Sequence, residues 1–292
     1  MIKNGSGSIV RIILELGKAR ISLPVALSAL TGYTLHSGTI GLQGYFLAVG
    51  VFLMSCSSGA LNHWQEYKTD ALMPRTKNRP IPSGAVSPGF ALLVALGYFV
   101  WGTAILLLHF PLYAWVAAVV TLVSYNGIYT PLKKVTAFAV VPGSLVGALP
   151  PYIGWLADQG SILNPDIFWV AIFFFIGQIP HFWLLLLMFG KEYSLAGYPS
   201  LHELFSENQI KRLSYTWILA TIASALVIAI KILQNSTIFF ALLLYVFYLL
   251  ISVTLELMLK KNLRVRPTFF KLNFLYLFMM VALIADSLLN RP

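Results

Sequence analysis

Cysteine is almost missing from this chain: a single residue, Cys56, in 292. That excludes a disulfide framework and any cysteine-based metal centre. Charge is scarce as well. Only 10% of the residues are Asp, Glu, Lys or Arg, against roughly 25% in ordinary soluble domains. Acids are the scarcest, ten against twenty bases, for a formal charge of +10. Apolar residues fill the space, at 58% of the chain with a mean hydropathy of +0.79. A soluble fold of this size cannot hide that much apolar surface, and a disordered chain would be polar. The composition therefore predicts an integral membrane protein.

A helix needs about 20 mostly apolar residues to cross about 30 Å of hydrocarbon. Nine such runs are present, at 20–37, 42–61, 89–109, 112–129, 136–156, 167–189, 214–233, 238–259 and 269–288. The first is the weakest, carrying Pro24, Gly32 and several Ser and Thr, all tolerated within membrane helices. Met1 to Ser8 is short and polar, with no cleavage pattern after the first run, so no cleaved signal is expected. The bases sort cleanly on these nine spans. Lys3, Arg11, Lys18 and Arg20 precede the first. Lys68, Arg75, Lys77 and Arg79 follow the second, Lys133 and Lys134 the fourth, and Lys191, Lys211 and Arg212 the sixth. Lys260, Lys261, Arg264, Arg266 and Lys271 follow the eighth. Only Lys231 and Arg291 fall on the other side. The positive-inside rule then places the N-terminus in the cytoplasm and the C-terminus outside. The basic balance is topological, so no nucleic-acid partner is expected.

Two loops on the basic side hold most of the chemistry. After the second span, Asn62, Glu66 and Asp70 stand at i, i+4 and i+8. If the helix continues, with Pro74 as its stop, they form one stripe over about 12 Å of rise. One amide and two carboxylates offer only oxygen ligands, which suits Mg²⁺. Arg75, Lys77 and Arg79 follow at once and suit a polyphosphate. A solvated loop with ordinary charges is the plainer alternative. After the sixth span Glu192 is the best second acid, with Glu203 and Glu207 looser candidates. The two loops can close over one central cavity. Between them Tyr129 and Lys133 can set a phenol and an ammonium on one side of a turn, although both are also expected interfacial anchors. His181 lies in the aromatic run Pro180-His181-Phe182-Trp183. It is either a packing residue or a functional group within the membrane. His63 neighbours the stripe on a different face.

These residues resemble the UbiA superfamily of intramembrane prenyltransferases. Within it they look like the protohaem IX farnesyltransferase (haem O synthase) branch. The first signature reads Asn62, Glu66, Asp70, Met73, Arg75, Thr76, Arg79 and Pro80. The middle one matches Tyr129-Thr-Pro-Leu-Lys133-Lys134 and Gly147 through Trp155, and the third Pro180 to Trp183 and Glu192 through Pro199. Lys18-Ala-Arg20 also fits. The chain departs in carrying Glu66 where the family usually has Asp, and Lys68 where it has a further acid.

The resemblance implies an all-α membrane protein, nine transmembrane helices around a central cavity. Residues 1–19 would be a cytoplasmic segment and 20–292 one polytopic domain in the inner (cytoplasmic) membrane. It implies Mg²⁺ held by Asn62, Glu66, Asp70 and Glu192. Arg75, Lys77, Arg79, Tyr129, Lys133 and Lys134 would take a farnesyl diphosphate, with Asp70 and Lys133 catalytic. Haem B would be the acceptor, met by His181, and a downstream haem enzyme or terminal oxidase assembly a partner. The alternatives are a relative acting on a quinone precursor or other aromatic, a haem-binding homologue without catalysis, and a transporter. The last would carry its ionisable residues at mid-span; here almost all lie at span ends or in loops.

Overall fold

The computed structural model describes residues 8–199, 201–259 and 265–290. Of the bases counted above, Lys3, Lys260, Lys261, Arg264 and Arg291 lie outside the described residues, as does the side chain of Lys191. Among the described residues every regular element is helical. The first, α1 (Ile9–Leu16), was not expected from the sequence. It is short and two-faced, with Ile12 and Leu16 buried beside Ala60, Ala91 and Ala95. The chain then turns at Gly17 and Lys18 into α2 (Ala19–Ser37).

Eight further helices are long and apolar enough to cross a membrane. They are α3 (Gly41–Asp70), α4 (Pro88–His109), α5 (Leu112–Leu132), α6 (Ala137–Ala157) and α7 (Pro165–Leu195), then α8 (Glu207–Lys231), α9 (Ser236–Met258) and α10 (Val265–Asn290). The remaining expected span is α2, which falls short of them in hydropathy. Its 19 residues give about 28 Å of helix. The physical reason is its surroundings: Ser22, Ser28, Thr31 and Thr34 are buried against protein. Thr31 and Thr34 each donate to the carbonyl one turn back, at 2.9 and 3.0 Å, so their hydroxyls need no water. By contrast α4 and α9 turn large apolar residues outward, such as Leu93, Trp101, Leu244 and Phe247.

The two largest apolar cores divide the helices into two groups. One joins α2 to α6, and the other joins α7 to α10 with Leu35 and Trp155 reaching in from the first group. Helix α2 crosses α6 at very short range through Gly32 and Gly154. A Cβ on Gly154 would sit 1.7 Å from the Ala29 carbonyl oxygen. With little net hydrophobic drive between helices in lipid, such close backbone approach supplies much of the packing. Replacing Gly154 by Ala should therefore force the crossing open and cost about 3 kcal/mol. A thermal-unfolding scan in detergent checks this; an unchanged midpoint would show that the crossing adapts freely.

Helix α3 continues as helix beyond its apolar run as far as Asp70, as the sequence predicts. At the same end of the bundle α7 runs on to Leu195. These two extensions carry the polar loops.

Candidate active site

Asn62, Glu66 and Asp70 share one face of α3 and are buried, at 1%, 4% and 1% exposure. Buried polar groups must find partners, and each of these does. Lys133 Nζ lies 2.6 Å from Glu66 Oε1 and donates to Oε2 at 2.8 Å. Tyr198 donates its hydroxyl to Glu66 Oε1 at 3.1 Å, and Asn62 Nδ2 donates to Oε2 at 2.9 Å. Arg79 Nη1 donates to Asp70 Oδ2 at 2.7 Å. Lys18 Nζ donates to Asn62 Oδ1 at 2.6 Å, while Asn62 Nδ2 also reaches Thr130 Oγ1 at 3.2 Å. Three cations thus face two carboxylates in a site largely shielded from water.

Local chain geometry puts each cation in place. Helix α5 widens into a π-helix over Ser124–Tyr129 before resuming as α-helix at Thr130. Such bulges concentrate at functional sites. Inside this one, Asn126 is clamped to α3. It donates to Ser58 O at 3.1 Å and Gln65 Oε1 at 3.0 Å, and accepts from Ser58 Oγ at 2.6 Å. The clamp sets the turn that delivers Lys133 to Glu66. Lys18 sits at the α1–α2 corner with φ +48°, a left-handed conformation uncommon for a side chain with a Cβ. After α3 the chain folds back on itself: Thr76 Oγ1 donates to the Asp70 carbonyl at 2.8 Å, and Met73, Ile81 and Val86 are buried beneath. This returns Arg79 to Asp70.

Burial pushes the Lys18 ammonium down to about 7, and the Arg79 charge adds to the effect. Burial acts in the same direction on Lys133, but the adjacent Glu66 carboxylate outweighs it and holds Lys133 above the ordinary lysine value. Tyr198 is pushed up to about 12 by burial and then by Glu66.

Aromatic rings line the next layer. Tyr129 lies 5.5 Å from Lys133 Nζ, with Tyr125 at 5.6 Å and Phe182 at 5.3 Å centroid to centroid. One to two turns down α3 from Asn62, Ser58 and Ser55 open onto a cavity of about 50 Å³ walled by Val25, Val51 and Ile153. The second polar loop meets the first at the surface: Glu192 Oε2 accepts from the Arg75 backbone N–H at 3.1 Å, and the Arg75 guanidinium stacks 5.0 Å from Phe189.

Not every expected residue joins. Lys77 and Lys134 are exposed and outside this network, as is Glu203; Glu207 pairs with Lys211 at 3.2 Å instead. His181 belongs to a neighbouring aromatic group. Its Nδ1 bonds Asn273 Oδ1 at 2.8 Å, and its ring lies 4.9 Å from Phe269. His63 is buried with Nδ1 unpartnered. Conversely, Lys18, Thr130 and Tyr198 enter the network without having been singled out for it. Lys18 and Tyr198 lay within motif segments, but their reach across the fold has no local sequence signal.

Among the described residues no three of His, Cys, Asp and Glu gather into a ready-made metal cage. Two carboxylates and an amide oxygen on one face are a hard, incomplete donor set. That suits Mg²⁺, which keeps water and takes phosphate oxygens as further ligands.

Comparison with known proteins bears on this arrangement. The UbiA prenyltransferase family matches residues 24–279. A protein named protoheme IX farnesyltransferase from Oleidesulfovibrio alaskensis is 40% identical over 194 residues, covering 65% of this chain and 67% of that one. One of the same name from Christiangramia forsetii is 36% identical over 199 residues, covering 68% and 65%. The matched stretch thus spans about two thirds of these relatives. A UbiA homolog from Archaeoglobus fulgidus, solved bound to DMAPP and Mg²⁺, superposes with a TM-score of 0.68 at 14% identity, over 93% of this chain and 98% of that one. A digeranylgeranylglyceryl phosphate synthase structure superposes at 0.73 and 14% identity, over 96% and 98%. At such identities these two likenesses speak to the fold.

Proposed function

The chain belongs to the UbiA prenyltransferase family, and from that premise we propose that it transfers a farnesyl group from farnesyl diphosphate to a vinyl group of haem B, giving haem O. The observation that carries this reading is the buried cluster in which Lys133 and Arg79 hold Glu66 and Asp70. It is a site with charge of both signs, shielded from water, at the mouth of an apolar bundle. The names of the relatives support haem as acceptor.

Asn62, Glu66, Asp70 and, from the second loop, Glu192 would hold Mg²⁺. When bound, the metal supplies a Lewis acid to the leaving diphosphate. The protein's own cations do the rest. Lys133 and Arg79 exchange their carboxylate partners, and Lys18 the Asn62 amide oxygen, for diphosphate oxygens, and Arg75 closes over them from the surface loop. Cations already fixed in place stabilise the leaving group most where its charge develops. The C1–O bond breaks with its electron pair leaving on the diphosphate. The rings of Tyr125, Tyr129 and Phe182 face the allylic cation and exclude water from it. The terminal vinyl carbon of haem B then bonds to C1. Water adds at the vinyl carbon next to the ring and loses a proton, leaving a hydroxyethylfarnesyl chain. The prenyl tail would run down α3 past Ser58 and Ser55.

Incubating purified protein with haem B, farnesyl diphosphate and Mg²⁺ should yield haem O by mass spectrometry. Prenylation of an aromatic quinone precursor in place of haem would overturn the acceptor assignment.

His181 has Nδ1 committed to Asn273, which leaves Nε2 for haem iron or a haem hydrogen bond. His181→Ala should then alter the haem absorption spectrum and weaken haem binding roughly tenfold, with farnesyl diphosphate binding little changed. Equal losses for both ligands with an unaltered spectrum would make His181 a packing residue.

We place the protein in the inner membrane with the basic end of the bundle in the cytoplasm. A phosphatase fused after α10 should be active outside the cell, and one fused between α9 and α10 inactive. The reverse pattern would invert the topology.

A further inference from the structure

The site is built on one face of α3, and the other face has a feature of its own. Residue 68 lies two positions from Glu66, about 200° around the helix, so Lys68 points away from the buried cluster. There an open groove of about 540 Å³ lies between the end of α3 and the end of α5. Lys68 and Lys134 stand on opposite sides of it, with Trp64, Gln65, Thr130 and Pro131 in its walls. Both lysines are exposed, and among the described residues neither has an ion-pair partner. Two of the polar wall side chains are already engaged inward. Gln65 Nε2 donates to Asn126 O at 2.9 Å, and Thr130 Oγ1 accepts from Asn62. The charge that the groove offers a ligand is that of two ammonium groups.

Below the groove the surface of α5 changes character. Val116, Val120, Val123 and Ile128 are all exposed, at 41–50%. Their spacing of four, three and then five residues keeps one stripe, because the π-helix widens the last turn. Paired cations above an apolar stripe, at the polar end of a membrane bundle, match an anionic head on a hydrocarbon tail.

We propose that this groove binds an anionic phospholipid, with its phosphate between Lys68 and Lys134 and an acyl chain along α5. Such a lipid ties the end of α3 to the Thr130–Lys134 turn from behind. It thereby braces the turn that carries Lys133 into the site. The proposal depends on the membrane placement of the bundle and not on which acceptor is prenylated.

Native mass spectrometry of delipidated protein, offered phosphatidylglycerol and phosphatidylcholine together, tests this. The expected result is retention of phosphatidylglycerol with a preference of roughly tenfold or more. Retention should fall in K68Q/K134Q and return in K68R/K134R. The single variants K68Q and K134Q, each with reduced retention, carry the test if the double variant does not fold. Equal retention of both lipids, or undiminished phosphatidylglycerol on the glutamine variants, overturns the proposal. Binding of inorganic phosphate without lipid selectivity would assign the groove to a free anion and overturn it too. So would loss of prenyl diphosphate binding in K68Q/K134Q with lipid retention intact, which would give both lysines to the substrate.

Discussion

Asp70→Ala should lower turnover on the order of 10³-fold while leaving the protein folded in the membrane. Asp70 terminates α3 and pairs with Arg79; in the proposed mechanism its carboxylate would also ligate Mg²⁺. On that mechanism its removal would subtract a metal ligand, and it releases Arg79, whose position depends on the pair. Losing one preorganised group at a developing charge costs about 10²–10³-fold, and a metal ligand should fall at the upper end of that range. Folding should survive because the Arg79 side chain is 22% exposed and can turn to water. The measurement is haem O formation against Mg²⁺ concentration, with circular dichroism as the folding control. Wild-type turnover that persists in EDTA would remove the metal from the argument altogether.

Lys133→Met should have the second large effect, and on two axes. Its ammonium is the main counter-charge to Glu66, whose side chain is 5% exposed. Truncating one partner of a buried pair leaves the other uncompensated, at a cost of about 3–5 kcal/mol. Turnover should fall as well, because on the proposed mechanism the same ammonium meets the diphosphate. A second substitution separates the two losses. Glu66→Gln in the Lys133→Met background should recover most of the stability, since the uncompensated charge on Glu66 is gone, and none of the activity. If the double variant stays as unstable as the single one, the pair is not what holds this end of α3 to α5.

Much of this was legible in the sequence, and the reasons differ by element. The spans could be read because lipid demands long apolar runs whatever their neighbours. Helix α2 shows where that logic weakens: its outline is right, but its serines and threonines reflect burial among helices. The stripe of Asn62, Glu66 and Asp70 was readable because its geometry is a property of one helix, set by 3.6 residues per turn. The cations were harder. Lys133 and Lys134 are adjacent in sequence, yet one is turned toward Glu66 and the other toward the groove behind α3. That choice is made by a π-helix whose wider turn leaves no distinctive composition. Lys18 is 44 residues from Asn62 and Tyr198 is 132 from Glu66, so their contacts exist only once the bundle is assembled.

The π-helix over Ser124–Tyr129 has one more implication, best put as a matter of phase. A π-turn is an α-turn with a residue inserted, and each residue advances an α-helix by about 100°. Everything after the insertion is rotated relative to everything before it. Upstream, α5 is in register with the membrane: Ala114 and Ala118 face the core while Val116 and Val120 face lipid. Downstream it is in register with the chemistry. A single helix therefore obeys two incompatible periodicities, joined by a one-residue offset. Excising any one residue from this segment would leave composition and hydropathy nearly unchanged. It would swing Lys133 off Glu66 by about a quarter turn, and the bilayer-facing half would be unaffected.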